Sequence, residues 1–252
     1  MSLTTGNDKM PVAAPNPYFK PVIPSRYRAL ILSHNPAVYY RFESGLLGID
    51  ETDNNNNAVT VTDVSEVAGE IGGGASFNNS TSGLITPPDT SINNIASSSY
   101  AYTIEAWMNV SSHGSVRMYT AKHDDSLTHG GFETYLDPTG YVFIRRYWSS
   151  NGDIWRTNAA LPTGQWVHVV AVMRVDTTAT TYFNGVAQGM TRTQTGSGVT
   201  EDDSGGDLYI GHREFGAAYN FNGLLDEVAI YRRELTTDEI TEHYVTGISS
   251  IK

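Results

Sequence analysis

The sequence predicts an all-β protein: a two-sheet antiparallel jelly-roll sandwich with an extended proline-rich N-terminal arm and a short C-terminal helix. Three observations carry this reading. The stretch from Thr163 to Gly185 reads TGQWVHVVAVMRVDTTATTYFNG. Within it, Trp166 to Val175 is almost unbroken Trp, Val, Ala and Met, bounded by Gly164 and by Asp176-Thr177-Thr178. Such a run, rich in β-branched residues and of strand length, fits a central strand buried on both faces. The next run, Thr180 to Phe183, closes on Asn184-Gly185, which supplies the positive φ angles of a tight hairpin turn. Strands buried on both faces require a layer above and a layer below, the middle of a sandwich. Composition agrees: 252 residues, 39% hydrophobic and 17% charged, with 15 Tyr and 24 Gly, can build one large β-domain and carry too little charge for disorder.

Taken in order, the chain divides into residues 1–28 and residues 29–252. In the first part Pro11, Pro15, Pro17, Pro21 and Pro24 are interleaved with Tyr18, Phe19, Val22 and Ile23. Proline at this density favours polyproline II, which reaches about 45 Å over about 15 residues. The stretch is expected to be an arm that docks on a neighbour through those four side chains. Ala29 to Leu32 is a short apolar piece of one helical turn. Ala37 to Glu43 reads as the first strand, Asp50 to Asn57 as a polar loop, and Ile71 to Phe77 as a glycine-rich entry into a strand. Tyr100 to Val110 alternates, with Tyr102, Ile104, Ala106 and Met108 on one face and Thr103, Glu105, Trp107 and Asn109 on the other. Tyr119 to His129 reads as polar connection. Phe132 to Leu136 and Tyr141 to Trp148 flank the turn Asp137-Pro138-Thr139-Gly140 and form a hairpin. Ile154 to Thr157 is a short strand, Val186 to Gly206 a long polar loop, and Leu208 to Gly211 and Leu224 to Tyr231 the last strands. Thr236, with Glu239 three residues on, caps the helix that follows.

The pieces AVYYRFE at 37–43, GGASF at 73–77, YTIEAWM at 102–108, LPTGQWVHVVAV at 161–172, TYFNG at 181–185, LYIG at 208–211 and FNGLLDEVAIYRRELTTDEI at 221–240 occur together and in order. In this the chain resembles the laminin-G-like, concanavalin A-like jelly-roll family, including its pentraxin-like bacterial and phage members. The resemblance implies two stacked sheets with binding loops at the rim. It implies no single function, because this fold hosts lectins, adhesion modules, particle-coat proteins and some glycosidases.

Several chemistries are excluded or weakened by the residues themselves. A net charge of −11 repels phosphate backbones, so nucleic acid is not an expected partner. With no cysteines there is no disulfide, Cys nucleophile or thiolate metal site. No apolar run reaches membrane-spanning length, so no membrane insertion is expected, and no secretory signal pattern is seen. The glycine-rich Ile71–Phe77 stretch lacks the Lys-Ser/Thr of a phosphate loop. Glycoside hydrolysis needs two carboxyl groups on one face, about 5 Å apart for retention. Glu133 and Asp137 have a suitable spacing, but Pro138 and Gly140 put Asp137 in a turn. Glu105 stands alone, and Asp226 and Glu227 are adjacent and point to opposite faces of a strand. No enzymatic activity is expected. His168 reads as a packed histidine of the central strand. His123 and His129, beside Asp124 and Asp125, fit no standard metal spacing.

Two kinds of site remain. Calcium takes several oxygen ligands, and the family resemblance implies an edge site; Asp50, Asp53, Asn78 and Asp226 are the candidates, although Asn78 stands where the family commonly has aspartate. Aromatic rings that stack on sugars, with arginines to bond hydroxyls, occur at Tyr147, Trp148 and Trp155 beside Arg145 and Arg156. The functional expectation is a non-catalytic structural or decoration protein of a larger particle, a phage virion component (capsid decoration, fibre or tail appendage). It would be present in many copies or as a homo-oligomer, docked on other structural proteins by its arm and exposed on the virion surface. The alternative is a carbohydrate-binding adhesion module recognising cell-surface glycans, at an extracellular or cell-surface location; a glycoside hydrolase comes last.

Overall fold

The computed structural model describes residues 26–78, 83–86, 92, 95–96, 99–123, 131–198, 203–213 and 219–250. Tyr18, Phe19, Val22 and Ile23 of the expected arm lie outside the described residues, as do Asp124, Asp125 and His129. The described residues open with helix α1 (Arg26–Ser33) and the short strand β1 (Val38–Tyr40). Then come β2 (Thr60–Thr62), β3 (Ser65–Ala68), β4 (Gly73–Asn78), β5 (Gly83–Thr86), β6 (Tyr102–Val110) and β7 (Arg117–His123). β8 (Phe132–Leu136), β9 (Tyr141–Tyr147), β10 (Gly152–Ala160), β11 (Val167–Met173) and β12 (Ala179–Phe183) follow. The chain ends with β13 (Val186–Ala187), β14 (Met190–Gln194), β15 (Asp207–Ile210), β16 (Asn222–Tyr231) and helix α2 (Thr237–Ser249).

Two eight-stranded antiparallel sheets result. The first runs β13-β12-β11-β6-β16-β4-β3, with β1 also paired to β16; the second runs β14-β10-β9-β8-β7-β15-β5-β2. The expected central strand is β11, buried at every position and held between β6 and β12. Asn184 and Gly185 adopt φ of 50° and 76° in the turn that joins β12 to β13. The alternation of β6 separates two layers as the sequence implied. Tyr102, Ile104, Ala106 and Met108 face the core between the sheets. Trp107 faces a second apolar layer on the outside of the first sheet, with Tyr27 and Ile31 of α1 and Ile240 of α2. Gly247 allows α2 to approach this layer; a Cβ there would meet the Trp107 ring at 2.5 Å. The helix begins in the expected capping box, Thr236 accepting from the Glu239 amide while Glu239 accepts from the Thr236 amide.

Three elements differ from the expectation. The helix expected over 29–32 extends over two turns, because Tyr27 and Ile31, four residues apart, share one face and are buried together. The stretch expected as polar connection after Tyr119 begins with strand β7, whose outward side is itself covered at Met118 and Ala121. The long polar loop 186–206 contains β13 and β14; β14, MTRTQ, reads as loop because an edge strand needs few apolar residues.

Candidate functional site

The outward face of the second sheet is where polar, aromatic and solvent-accessible side chains converge. In β9, Val142 and Ile144 belong to the core between the sheets, so Tyr141, Phe143, Arg145 and Tyr147 point the other way. Register extends this face sideways: Glu133 and Tyr135 of β8 lie opposite Arg145 and Phe143, and Ile154 and Arg156 of β10 lie opposite the same two residues from the other side. Tyr135 and Phe143 stack with ring centroids 4.8 Å apart and planes 10° from parallel. Arg156 lies over Tyr141 at 4.5 Å, and Arg145 over Tyr147 at 3.8 Å. Arg213, from the loop after β15, lies over Tyr219 at 4.0 Å and donates to Glu133 at 2.9 Å. Arg145 approaches the other Glu133 oxygen at 3.6 Å. The Glu133 side chain is only 2% exposed, whereas those of Arg145 and Arg213 keep 25% and 19%. Glu133 is thus the anchor that fixes two guanidinium groups at the surface. Burial first, and the Glu133 charge second, hold the Tyr147 hydroxyl above its ordinary range.

The five residues expected to contact glycan do not share one face. Arg145, Tyr147 and Arg156 are on this outward surface. Trp155 lies opposite Ile144 and turns inward, packing against the core and donating its ring N–H to the Thr177 carbonyl at 2.9 Å. Trp148 follows the end of β9 and donates to Asp153 at 2.7 Å. Asp153 is itself buried and paired with Arg192, which lies over the Trp155 ring. These two indoles therefore brace the end of the sandwich. The residues that join Arg145 and Arg156 instead are Tyr135, Tyr141, Phe143, Glu133 and Arg213. The sequence signal for the three aromatic ones was the period-two pattern of Tyr141-Val-Phe-Ile-Arg-Arg-Tyr147 and its register across the Asp137–Gly140 turn. Nothing in the sequence pointed to Arg213.

The four expected calcium ligands do not surround one point. Asp50 accepts from the backbone N–H of Tyr39, Thr52 and Asn56 and from the Thr52 hydroxyl, at 2.7 to 3.1 Å, and so holds its own loop together. Asp53 is exposed and lines a cleft with Arg28, Leu32 and Glu51. Asn78 pairs with Asn222, four residues from Asp226 along β16 and so about 13 Å away. Among the described residues, no three or more His, Cys, Asp or Glu side chains gather where they could hold a metal ion. These four residues do not fit a calcium site.

Asp226 and Glu227 also depart from the regular-strand expectation. β4 pairs with β16 up to Leu225 and β1 pairs with it from Val228, so the two acids occupy the junction. A bulge there, with Glu227 at φ 52°, turns both carboxyl groups to the layer outside the first sheet. Asp226 accepts from the Ile71 amide at 2.8 Å and its other oxygen has no hydrogen-bond partner. Glu227 accepts from Tyr39 and from Arg41. Burial, then the neighbouring Glu227 charge, raises the Asp226 carboxyl well above the ordinary range. Nearby, His168 behaves as the packed histidine expected, with Nε2 2.7 Å from Glu105. Glu105 also receives His243 Nδ1 at 3.0 Å and the hydroxyls of Tyr27 and Tyr231. His243 continues to His34 at 2.7 Å, tying α2 to the end of α1. Glu105, His168 and His243 are fully buried, and His34 is partly exposed at the end of the chain of bonds.

A family model described as the concanavalin A-like lectin/glucanases superfamily matches residues 78–241. The chain belongs to this superfamily. Solved structures that share the fold include the binding domain of Paraclostridial Mosquitocidal Protein 1, at 20% identity and TM-score 0.67, with 84% of this chain and 52% of that one covered. Domain 4 of AbnA, a GH43 extracellular arabinanase from Geobacillus stearothermophilus in complex with arabinotriose, is 22% identical at TM-score 0.62, with 83% and 98% covered. The binding domain of botulinum neurotoxin serotype G is 12% identical at TM-score 0.64, with 84% and 51% covered. The chain thus spans about half the length of the two toxin domains and nearly all of the arabinanase domain. At these identities the likeness is one of fold. No curated protein sequence matches the chain. Among the described residues, no helix of this superfamily member is long and apolar enough to cross a membrane.

Proposed function

We propose that the chain is a non-catalytic binding module that recognises carbohydrate on the outward face of its second sheet. The observation that carries this reading is the Tyr135–Phe143 stack flanked by Arg145 and Arg156. Rings of this kind cover the apolar face of a pyranose while the guanidinium groups bond its hydroxyls. Two of these neighbours are binding domains of toxins and a third is an arabinanase domain in complex with arabinotriose, which supports a lectin-like role. A hydrolytic reading lacks its second carboxylate: Glu133 is the single one at the outward positions of β8, β9 and β10, and it is engaged by two arginines. We place the module on the surface of a larger particle, a virion in our reading, where many copies make weak glycan contacts effective. The proline-rich stretch with Tyr18, Phe19, Val22 and Ile23 supports attachment to structural proteins of that particle.

The test is a glycan array of the full chain displayed multivalently, beside a Tyr141→Ala/Phe143→Ala variant, each with calcium and with a chelator. Binding by the wild type that the variant loses, with its melting curve preserved, is expected. Equal binding by both proteins, or none by either, overturns the reading. Binding abolished by the chelator would return calcium to the site.

A further inference from the structure

We propose that this same face selects acidic glycans, Arg156 taking a sugar carboxylate while Phe143 and Tyr141 carry the ring; this rests on the glycan-binding reading above. The argument is one of charge set against its surroundings. The chain carries a net charge of −11, so a cluster of cations on one open face runs against the average. Arg145, Arg156 and Arg213 all reach this face, and Glu133 holds Arg145 and Arg213. Arg156 is half-buried and stacked on Tyr141, and among the described residues no carboxylate lies within ion-pair distance of it. Stacking orients the planar guanidinium without using its N–H donors, which leaves the fork available for a bidentate acceptor.

Position adds specificity. Arg156 sits directly across the ladder from Phe143, about 5 Å away at the backbone, and Arg145 lies two residues along β9, about 7 Å away. Their guanidinium groups diverge from there, Arg156 over Tyr141 and Arg145 over Tyr147, six residues and so about 20 Å apart along β9, which leaves Arg156 as the cation beside the Tyr141 and Phe143 rings. Aromatic stacking alone accepts neutral and acidic sugars equally, since both have an apolar ring face. The charge-assisted pair distinguishes them, and its contribution shrinks as salt screens it.

Two matched pairs of probes test this on the full chain: an oligogalacturonide against its carboxyl-reduced counterpart, and sialyllactose against lactose, titrated by calorimetry at low and high salt. At least one acidic probe is expected to bind about tenfold or more tightly than its neutral partner, the scale of one charge-assisted hydrogen bond. That advantage should contract at high salt. Arg156→Gln should remove most of it, and Arg156→Lys, which keeps the charge without the fork, should retain part; melting curves of both variants confirm that the fold survives. Neutral probes binding as tightly as acidic ones overturn the acidic preference and leave the glycan reading standing. An acidic advantage that Arg156→Gln does not reduce also overturns it. Silence of all four probes, together with an empty array, overturns both readings.

Discussion

Glu105 to Ala is the substitution with the largest consequence that the structure allows to be worked out. Its carboxylate accepts from His168 Nε2 at 2.7 Å, His243 Nδ1 at 3.0 Å, Tyr231 at 3.0 Å and Tyr27 at 3.2 Å, and both histidine side chains are fully buried. With Glu105 ionised, the two histidines must carry protons on the nitrogens that face it. Burial alone would raise the Glu105 carboxyl; the His243 charge and the bonds from both histidines outweigh burial and hold it far below the ordinary range. Burial opposes the charge on His243, but Glu105 prevails and raises it. Breaking one partner out of a buried pair costs about 3–5 kcal/mol, and each orphaned buried donor about 1–3 kcal/mol. Losses within one network do not add, so Glu105→Ala is expected to cost about 4–6 kcal/mol, close to the whole stability of many domains. Glu105→Gln keeps the volume and an acceptor and should cost about 2 kcal/mol.

Urea unfolding across pH checks both the size and the sign. A depressed Glu105 contributes fully above its ordinary 4.5 and loses that contribution as pH falls through its folded value. A raised His243 contributes below its ordinary 6.5 and loses that contribution as pH rises through its folded value. The pair therefore stabilises most between those two pH values and less on either side. Glu105→Gln should flatten the decline above 6.5. A cost for Glu105→Ala no larger than about 0.5 kcal/mol, as for an ordinary surface substitution, or a decline that survives in Glu105→Gln, would refute the reasoning.

Two further outcomes follow from named contacts. Asp226 is raised by burial and by Glu227, so its stabilising contribution is present at low pH and lost as pH rises through its folded value. In chelator, Asp226→Asn should gain about 1–2 kcal/mol at pH 8 and nothing in acid; a loss at both pH values, read by urea unfolding, would show the carboxylate to be needed. Deletion of residues 1–25 should leave the melting curve near that of the full chain, whereas deletion of 1–28 also removes Tyr27, which packs in the layer with Trp107 and bonds Glu105. The longer deletion should cost about 3–5 kcal/mol more. Equal losses would make the proline-rich stretch part of the fold rather than an arm.

Much of the scaffold was legible because its signals are local. β6 and β11 declare themselves by alternation and by continuous burial, and Asn184-Gly185 and the Thr236/Glu239 box declare a turn and a helix start. What was hidden depends on partners remote in sequence. The bulge at Glu227 exists because β4 and β1 meet end to end along β16, a junction that no window of sequence contains. Trp155 reads as an accessible indole until its register with Ile144 fixes it inward. Two of the three arginines near the proposed site, Arg145 and Arg156, were found by their adjacency in sequence to aromatic residues. Arg213 was missed because it reaches Glu133 from 80 residues away.

The two faces of the sandwich handle charge in opposite ways, and the difference is what favours the second sheet for the proposed site. Outside the first sheet, beneath α1 and α2, Glu105, His168 and His243 are fully buried and each is consumed by a partner of defined geometry. A ligand that contacted those carboxylate and imidazole groups would have to displace the bonds between them. Outside the second sheet, Glu133 is buried but the guanidinium groups it anchors keep a fifth to a quarter of their exposure. Their solvent-facing atoms can exchange water for another acceptor while Glu133 holds them in place, which is the condition for recognition by a rigid surface. If the proposed site is right, variation at Tyr141, Phe143 and Arg156 should change what is bound while the Glu105 network, in a different layer, keeps the stability unchanged.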